Sequence, residues 1–439
     1  MSRIIKYILQ FLLGEDNAAL ADQIEYAKCS DAPVVIIPSS FFDEDIYMRP
    51  DSMPHLPLRE MEGVPLLYGS PQVVQKGRQV IVYADIIAST YFLITRYEEY
   101  MNQMDRDPYG RFQGTCSLPY RAGFLMRPVV DEYAGLLRGW LKKAGICIME
   151  PRASFQHIYL THDIDEIWQW DNLYRALRTF VKRLVCQKQN ICESFRAWYD
   201  YEKYDKIYTF LWLTDMDQCM EQCIGEKCTS VYFFKGGGRK DFSENLYYKR
   251  TRRVRKLAEY LRKQHAVLGM HASLSAGFTP QETKSEKDRL ERILGIRITW
   301  NRNHYLCSRK PEDMEYLVNA GITDDFTMGY ADTAGFRLGT CRPVRWINPV
   351  TKKLTDLVLH PLTVMECTLD SEMYMNLGEE EAFDVIRRML DRIWEHNGEV
   401  VLLWHNTSVA ESDQGYQRRL YERTLGFIKK KIIHKNTFE

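Results

Sequence analysis

From Phe155 to about residue 410, short β-branched or aromatic runs alternate with helical stretches, and each run ends in a polar or charged cluster. Gln156–Leu160 leads into Thr161-His162-Asp163-Ile164-Asp165, Val231–Phe234 into Lys235-Gly236-Gly237-Gly238, and Ala266–Met270 into His271. Ile296–Trp300 leads into Asn301-Arg302-Asn303-His304, Gly321-Ile322 into Asp324-Asp325, and Val400–Trp404 into His405-Asn406. The intervening segments, among them Arg252–Gln264, Glu286–Leu294 and Glu379–His396, read as helices. Strands alternating with helices over such a length predict a parallel sheet with right-handed crossovers. Chemically loaded residues just after the strands predict a (β/α) barrel whose site lies at the strand carboxyl ends. An open doubly wound sheet is the alternative, and it gathers ligands at the same edge.

The preceding residues read differently. Pro33–Pro38 and Gln79–Ala84 are Val- and Ile-rich runs bounded by turn formers, and so are expected strands. Helical patterns cover Ile87–Met101 and Val130–Ala144, and Asp107–Gly114 is an expected loop. The 439 residues therefore divide into a small α/β N-terminal module (1–150) and a barrel (151–439). The first residues begin basic and then apolar, but Lys6, Gln10, Glu15 and Asp16 break the pattern of a signal peptide. An amphipathic helix carrying Ile4, Ile5, Ile8, Leu9 and Leu12 fits better, and no window has the roughly 20 apolar residues of a membrane span. Lys+Arg and Asp+Glu number 59 each, so no bulk charge draws the chain to nucleic acid. Eleven cysteines without framework spacing read as reduced thiols, and a cytoplasmic protein is expected.

Alternate strand residues share a face, so Asp163 and Asp165 point in similar directions. Two acids forced together each raise the other's pKa unless a cation lies between them, and a divalent metal is the common solution. Asp163 and Asp165 follow one expected strand, His271, Arg302, Asp325 and His405 each follow another, and all six would converge on one edge. A metal, a base, a charge organiser and an acid in one place imply hydrolysis.

The ordered series THDID, GMHAS, NRNHYL, GITDDFTMGY and LLWHN resembles the polysaccharide deacetylase (NodB-homology) family, in its divergent bacterial branch with an N-terminal module of unassigned function. That resemblance spans roughly residues 155–410. It implies a distorted (β/α) barrel that removes acetyl groups from N- or O-acetylated sugars with a divalent metal, zinc foremost and nickel, cobalt or iron as alternatives. It implies Asp163 as base, Asp165 and His271 as metal ligands, Arg302 as the orienter of the base, Asp325 as the acid supporting the catalytic histidine, and His405 as the proton donor. The family's second metal histidine falls on Ser275 here. His304 is the expected replacement, with His162 less suited because it faces away from Asp163 on a strand.

A catalytically silent carbohydrate-binding or scaffold protein on the same barrel is the alternative function. Arg337, Tyr330 and Trp404 are expected substrate contacts. Cys219, Cys223 and Cys228 are expected to pack as small hydrophobes, although the helical i, i+4 spacing of the first pair could present two thiolates to one metal. Lys235 to Lys240 reads as a flexible active-site loop, and the basic run Lys249–Lys263 as a barrel helix with a solvated face.

Overall fold

The two Val- and Ile-rich runs of the N-terminal module become the inner strands of a small sheet. In chain order the module forms β1 (Ile24–Tyr26), β2 (Val34–Ile36), β3 (Arg59–Met61), β4 (Val64–Leu66), β5 (Gly69–Lys76) and β6 (Gln79–Ala84). The sheet order is β1-β2-β6-β5, parallel except for the last pair, and β3 and β4 make a separate hairpin. Glu62 and Gly63 both take positive φ in the two-residue turn of that hairpin, the geometry such turns favour. Ser2–Leu13 is the expected amphipathic helix and buries Ile4, Ile8, Leu9, Leu12 and Leu13. Asp85 caps the fully buried helix Ile86–Ile94 by accepting the N–H of Ala88 at 2.9 Å.

This computed structural model describes residues 1–168, 200–239, 244, 246–410 and 415–436. Lys240, part of the expected loop, lies outside the described residues. Beyond the module come β7 (His157–Ile164), β8 (Cys228–Phe234), β9 (Val267–Ala272), β10 (Trp300–Asn303), β11 (Asp324–Met328), β12 (Val344–Asn348), β13 (Lys353–Pro361), β14 (Val364–Met365) and β15 (Glu399–Leu403). They form one sheet in the order β12-β13-β11-β10-β9-β8-β7-β15-β14, parallel except for β12 on β13. Helices, among them Phe210–Ile224, Thr251–Lys263, Pro280–Leu294 and Glu379–Glu395, provide the crossovers.

Among the described residues the sheet curls into a half-barrel and does not close into the complete barrel expected from the sequence. One continuous segment links its two flanks: β13 pairs with β11, and β14, three residues later, pairs with β15. Pro361 ends the first ladder because it has no N–H to donate. Leu362 then donates to Met328 and Thr363 to Val401, so the link is single hydrogen bonds instead of a ladder. Alternation sorts the core. Val231, Phe233, Phe326, Val401 and Leu403 fill the inside of the curl, while Tyr232, Phe234 and Leu402 pack under the outer helices.

Two departures in the strands bear on the site. β10 and β11 lie later than the apolar runs suggested, so Arg302 is inside β10, and Asp325 is near the start of β11 instead of beyond its end. The basic helix Thr251–Lys263 buries Val254, Leu257, Ala258 and Leu261 and leaves its charges outward, as expected. Among the described residues, no helix is long and apolar enough to cross a membrane.

The module is stitched to the sheet by buried ion pairs. Arg337 donates from Nε and Nη2 to the two carboxylate oxygens of Glu99 at 2.9 and 2.8 Å, and Arg96 donates to Glu99 at 2.5 Å. Arg342 donates to Asp131 at 2.6 Å and to the carbonyl of Phe11 at 2.7 Å.

Candidate active site

Asp163 ends the inward-facing row of β7, with Thr161 before it and Asp165 just past the strand. His162 points to the other side, where it contacts the carbonyl of Trp404 at 2.9 Å and Asp217 at 3.1 Å, so it has no part in the site. Arg302 donates from Nη1 to Asp163 Oδ1 at 3.1 Å and to the Thr161 hydroxyl at 2.6 Å, and from Nε to the Phe326 carbonyl at 3.0 Å. Its guanidinium lies 4.7 Å from the centre of the Phe233 ring, in a fully buried setting. These contacts leave the other Asp163 oxygen facing His271 at 3.7 Å and His405 at 4.0 Å.

Two histidines offer a fixed ring nitrogen to Asp165. His271, in β9, donates from Nδ1 to the carbonyl of Arg302 at 3.0 Å, which leaves Nε2 as a lone-pair donor. His304, immediately after β10, is held through Nδ1 by the buried Glu244 at 3.0 Å. Their Nε2 atoms lie 3.5 and 3.2 Å from Asp165 Oδ1. Burial lowers the pKa of His271, while Asp165 raises that of His304 against the burial that opposes it.

Lys235, expected only as the start of a flexible active-site loop, reaches into the site itself. Its ammonium is buried, 2.8 Å from Asp165 Oδ1 and 3.3 Å from His304 Nε2. Two glycines bring it there. A Cβ on Gly237 would lie 2.0 Å from the Glu286 carboxylate, and one on Gly236 would lie 2.4 Å from the Glu286 carbonyl. The glycine segment is thus packed tightly on helix Pro280–Leu294, in contrast to the flexible loop expected. Burial opposes ionisation of Asp165, but Lys235 and His304 together hold its carboxyl well below the usual carboxylate range.

His405 follows β15, with Nε2 3.7 Å from Asp165 and Nδ1 2.7 Å from Glu366 Oε1. Burial opposes its proton, yet the Glu366 charge holds the imidazolium well above the usual histidine range. The support expected from Asp325 is therefore supplied by Glu366. Asp325 instead accepts Asn301 Nδ2 at 2.8 Å and the Thr327 hydroxyl at 2.8 Å, level with Met270 and Asn301, deep in the sheet. Glu366 follows β14 just as the other site residues follow their strands, so the same positional rule would have found it. Glu244 lies in a loop with no such signal.

The three expected substrate contacts are placed elsewhere. The Arg337 side chain is 2% exposed and bidentate on Glu99. Tyr330 is buried beside Phe112 and Leu125, with Arg337 5.0 Å from its ring. Trp404 is fully buried against Tyr421. Each is consumed by packing, so none presents a surface to a ligand. Ser275 touches Ser273 at 2.8 Å, and Cys219 and Cys223 are exposed thiols.

The residues suit a divalent cation. Single ligand atoms of Asp165, His271 and His304 all lie within 4.8 Å of one another. The buried His271 Nε2 has no hydrogen-bond partner, an unsatisfied lone pair of the kind a metal relieves. Outer-shell acceptors fix the orientation of both imidazoles, as is usual for metal-ligating histidines. A second group, Glu366, Cys367 and His405, also has its ligand atoms within 4.8 Å, but there the nitrogen facing the acid is already hydrogen-bonded.

The profile of a family of unknown function (DUF7033) matches residues 2–145. No curated protein matches the sequence. Among solved structures, a "putative polysaccharide deacetylase" from Mycobacterium smegmatis aligns with a TM-score of 0.38 and 11% identity, covering 64% of this chain and 86% of that one. These comparisons assign no activity.

Proposed function

We propose that this protein is a metal-dependent hydrolase that removes acetyl groups from an N- or O-acetylated sugar or glycan precursor. The observation that carries this reading is the convergence of Asp165, His271 and His304 between two further buried pairs, Asp163–Arg302 and Glu366–His405. When bound, a divalent metal such as zinc polarises the acetyl carbonyl and acidifies a water. Asp163, with one oxygen held by Arg302, keeps the other free to accept the proton of the attacking water. His405, as an imidazolium held by Glu366, donates a proton to the departing amine or alkoxide. The choice of an acetylated sugar follows from the motif order THDID to LLWHN. Reducing surroundings and a cytoplasmic site of action belong to the same proposal.

The test is metal content together with acetate release from N-acetylated saccharides. Stoichiometric metal that is lost in Asp165→Ala and His271→Ala, with acetate release abolished in Asp163→Asn, supports the reading. Acetate release that survives Asp163→Asn removes Asp163 as the base.

One observation favours a second reading. The Lys235 ammonium already neutralises Asp165 from within the chain. A metal-free protein that binds sugars without cleaving them would keep its charge balanced in this way. Purified wild-type protein without metal that still binds N-acetylated saccharides selects this alternative.

A further inference from the structure

We infer that Arg111, contributed by the N-terminal module, is a positioning residue for the metal ligand His304. The inference rests on the proposed metal site and extends it to a part of the chain with no assigned role.

His304 leads into two consecutive bulky residues with left-handed backbone, Tyr305 at φ 59° and Leu306 at φ 51°. Such residues avoid this region, and they persist there only where their surroundings over-determine the conformation. Much of the restraint comes from the loop Asp107–Gly114. Arg111 donates from Nη1 to the Tyr305 carbonyl at 2.9 Å and from Nη2 to the Tyr374 hydroxyl at 3.1 Å. Its Nε donates to Asp107 Oδ2 at 2.6 Å, so every branch of the guanidinium is engaged.

The loop is shaped to deliver this residue. Asp107 Oδ1 accepts the backbone N–H groups of Tyr109 and Arg111, each at 2.9 Å. Gly110 turns at φ +79°, and a Cβ there would lie 2.9 Å from Arg309 Nε. From the same loop, the Tyr109 ring stacks on Tyr305 with centroids 4.9 Å apart and planes 20° apart. Tyr305 stacks in turn on the His304 ring at 4.0 Å and 28°. Glu244 fixes His304 through Nδ1, which sets the rotation of the ring about its own axis. The Arg111–Tyr305 contact sets the height and tilt of the backbone that carries the ring.

The test is Co(II) titration of the full-length protein, read by affinity and by the visible absorption of the bound ion. Arg111→Ala is expected to weaken Co(II) binding about tenfold and to change the visible band, as loss of an outer-shell support does. Arg111→Lys, which keeps one donor, is expected to lie between it and wild type. Arg127→Ala, whose ion pair with Glu132 lies within the module, is expected to leave both readouts unchanged. A folded Arg111→Ala protein with wild-type affinity and spectrum overturns the inference. Should Arg111→Ala fail to fold, Tyr109→Ala removes the stacked ring from the surface, and an unchanged spectrum there overturns it equally. Wild-type protein that takes up no Co(II) overturns the metal site itself, a result distinct from uptake that is indifferent to Arg111.

Discussion

Glu366 Oε1 accepts both the backbone N–H of His405 at 2.8 Å and its ring Nδ1–H at 2.7 Å, so one buried oxygen fixes the position and the charge of that histidine. The second contact raises the pKa of His405, and removing the charge lowers it. In Glu366→Gln the imidazolium is lost at lower pH than in wild type, and the alkaline limb of the pH–rate profile for acetate release moves down. A drop in kcat of about 10²–10³-fold is expected if His405 is the acid. NMR titration of the His405 ring checks the shift without relying on turnover.

Replacing His304 by Ala removes one of the three proposed ligands and its link to Glu244. Metal affinity measured by isothermal titration is expected to fall by at least about 100-fold. Unchanged affinity assigns the third ligand elsewhere.

Lys235 lies 2.8 Å from Asp165 Oδ1 and would compete for that oxygen with the proposed divalent cation. Lys235→Met is therefore expected to tighten metal binding. The metal-free variant is expected to lose stability, because Asp165 keeps His304 but loses the nearer of the two positive groups that hold it ionised. Urea unfolding with and without added metal separates the two effects, and a variant equally stable in both conditions contradicts the competition.

Where β11 and β15 begin, His360 of β13 bridges their first residues, Glu399 at 2.8 Å and Asp324 at 3.1 Å. Burial disfavours its charge, but the hydrogen bonds to Asp324 and Glu399 outweigh it and raise its pKa from 6.5 to about 9. The folded value exceeds the unfolded one, so this contribution is complete below about 6.5 and is lost as pH rises through about 9. It amounts to a few kcal/mol, at about 1.4 kcal/mol per unit. The melting temperature is expected to fall over that interval in wild type and to fall less in His360→Gln.

Glu99 works in the other direction. Burial opposes its charge, but Arg337 and Arg96 lower its pKa from 4.5 to about 2. Its contribution is present above about 4.5 and is lost as pH falls through about 2. Glu99→Ala strands two buried guanidinium groups, and a loss of about 3–5 kcal/mol in urea unfolding is expected.

The alternation of apolar runs with polar ends was enough to identify the parallel order and most of the residues on the rim. It misjudges β10 and β11 because both carry buried polar residues: Arg302 inside the curl, bonded to Thr161 and Asp163, and Asn301, Asp325 and Thr327 on the other face, bonded to one another, an arrangement no hydropathy pattern reveals. Lys235 reads only as part of a flexible active-site loop because a lysine before three glycines gives no sign of burial. Only the closeness of Glu286 to Gly236 and Gly237 shows that the turn is packed. Arg337 looked like a substrate contact because its partner, Glu99, is 238 residues away in the chain.

The Glu99–Arg337 clamp and the Arg111–Tyr305 contact bear on how this protein can be recombined. A cassette of residues 155–410 grafted onto another carrier would arrive with an unpaired guanidinium on its flank and with His304 on an unsupported turn. The family profile ends at residue 145, but these contacts join residues on both sides of that point, and a gene fusion that keeps them must carry both.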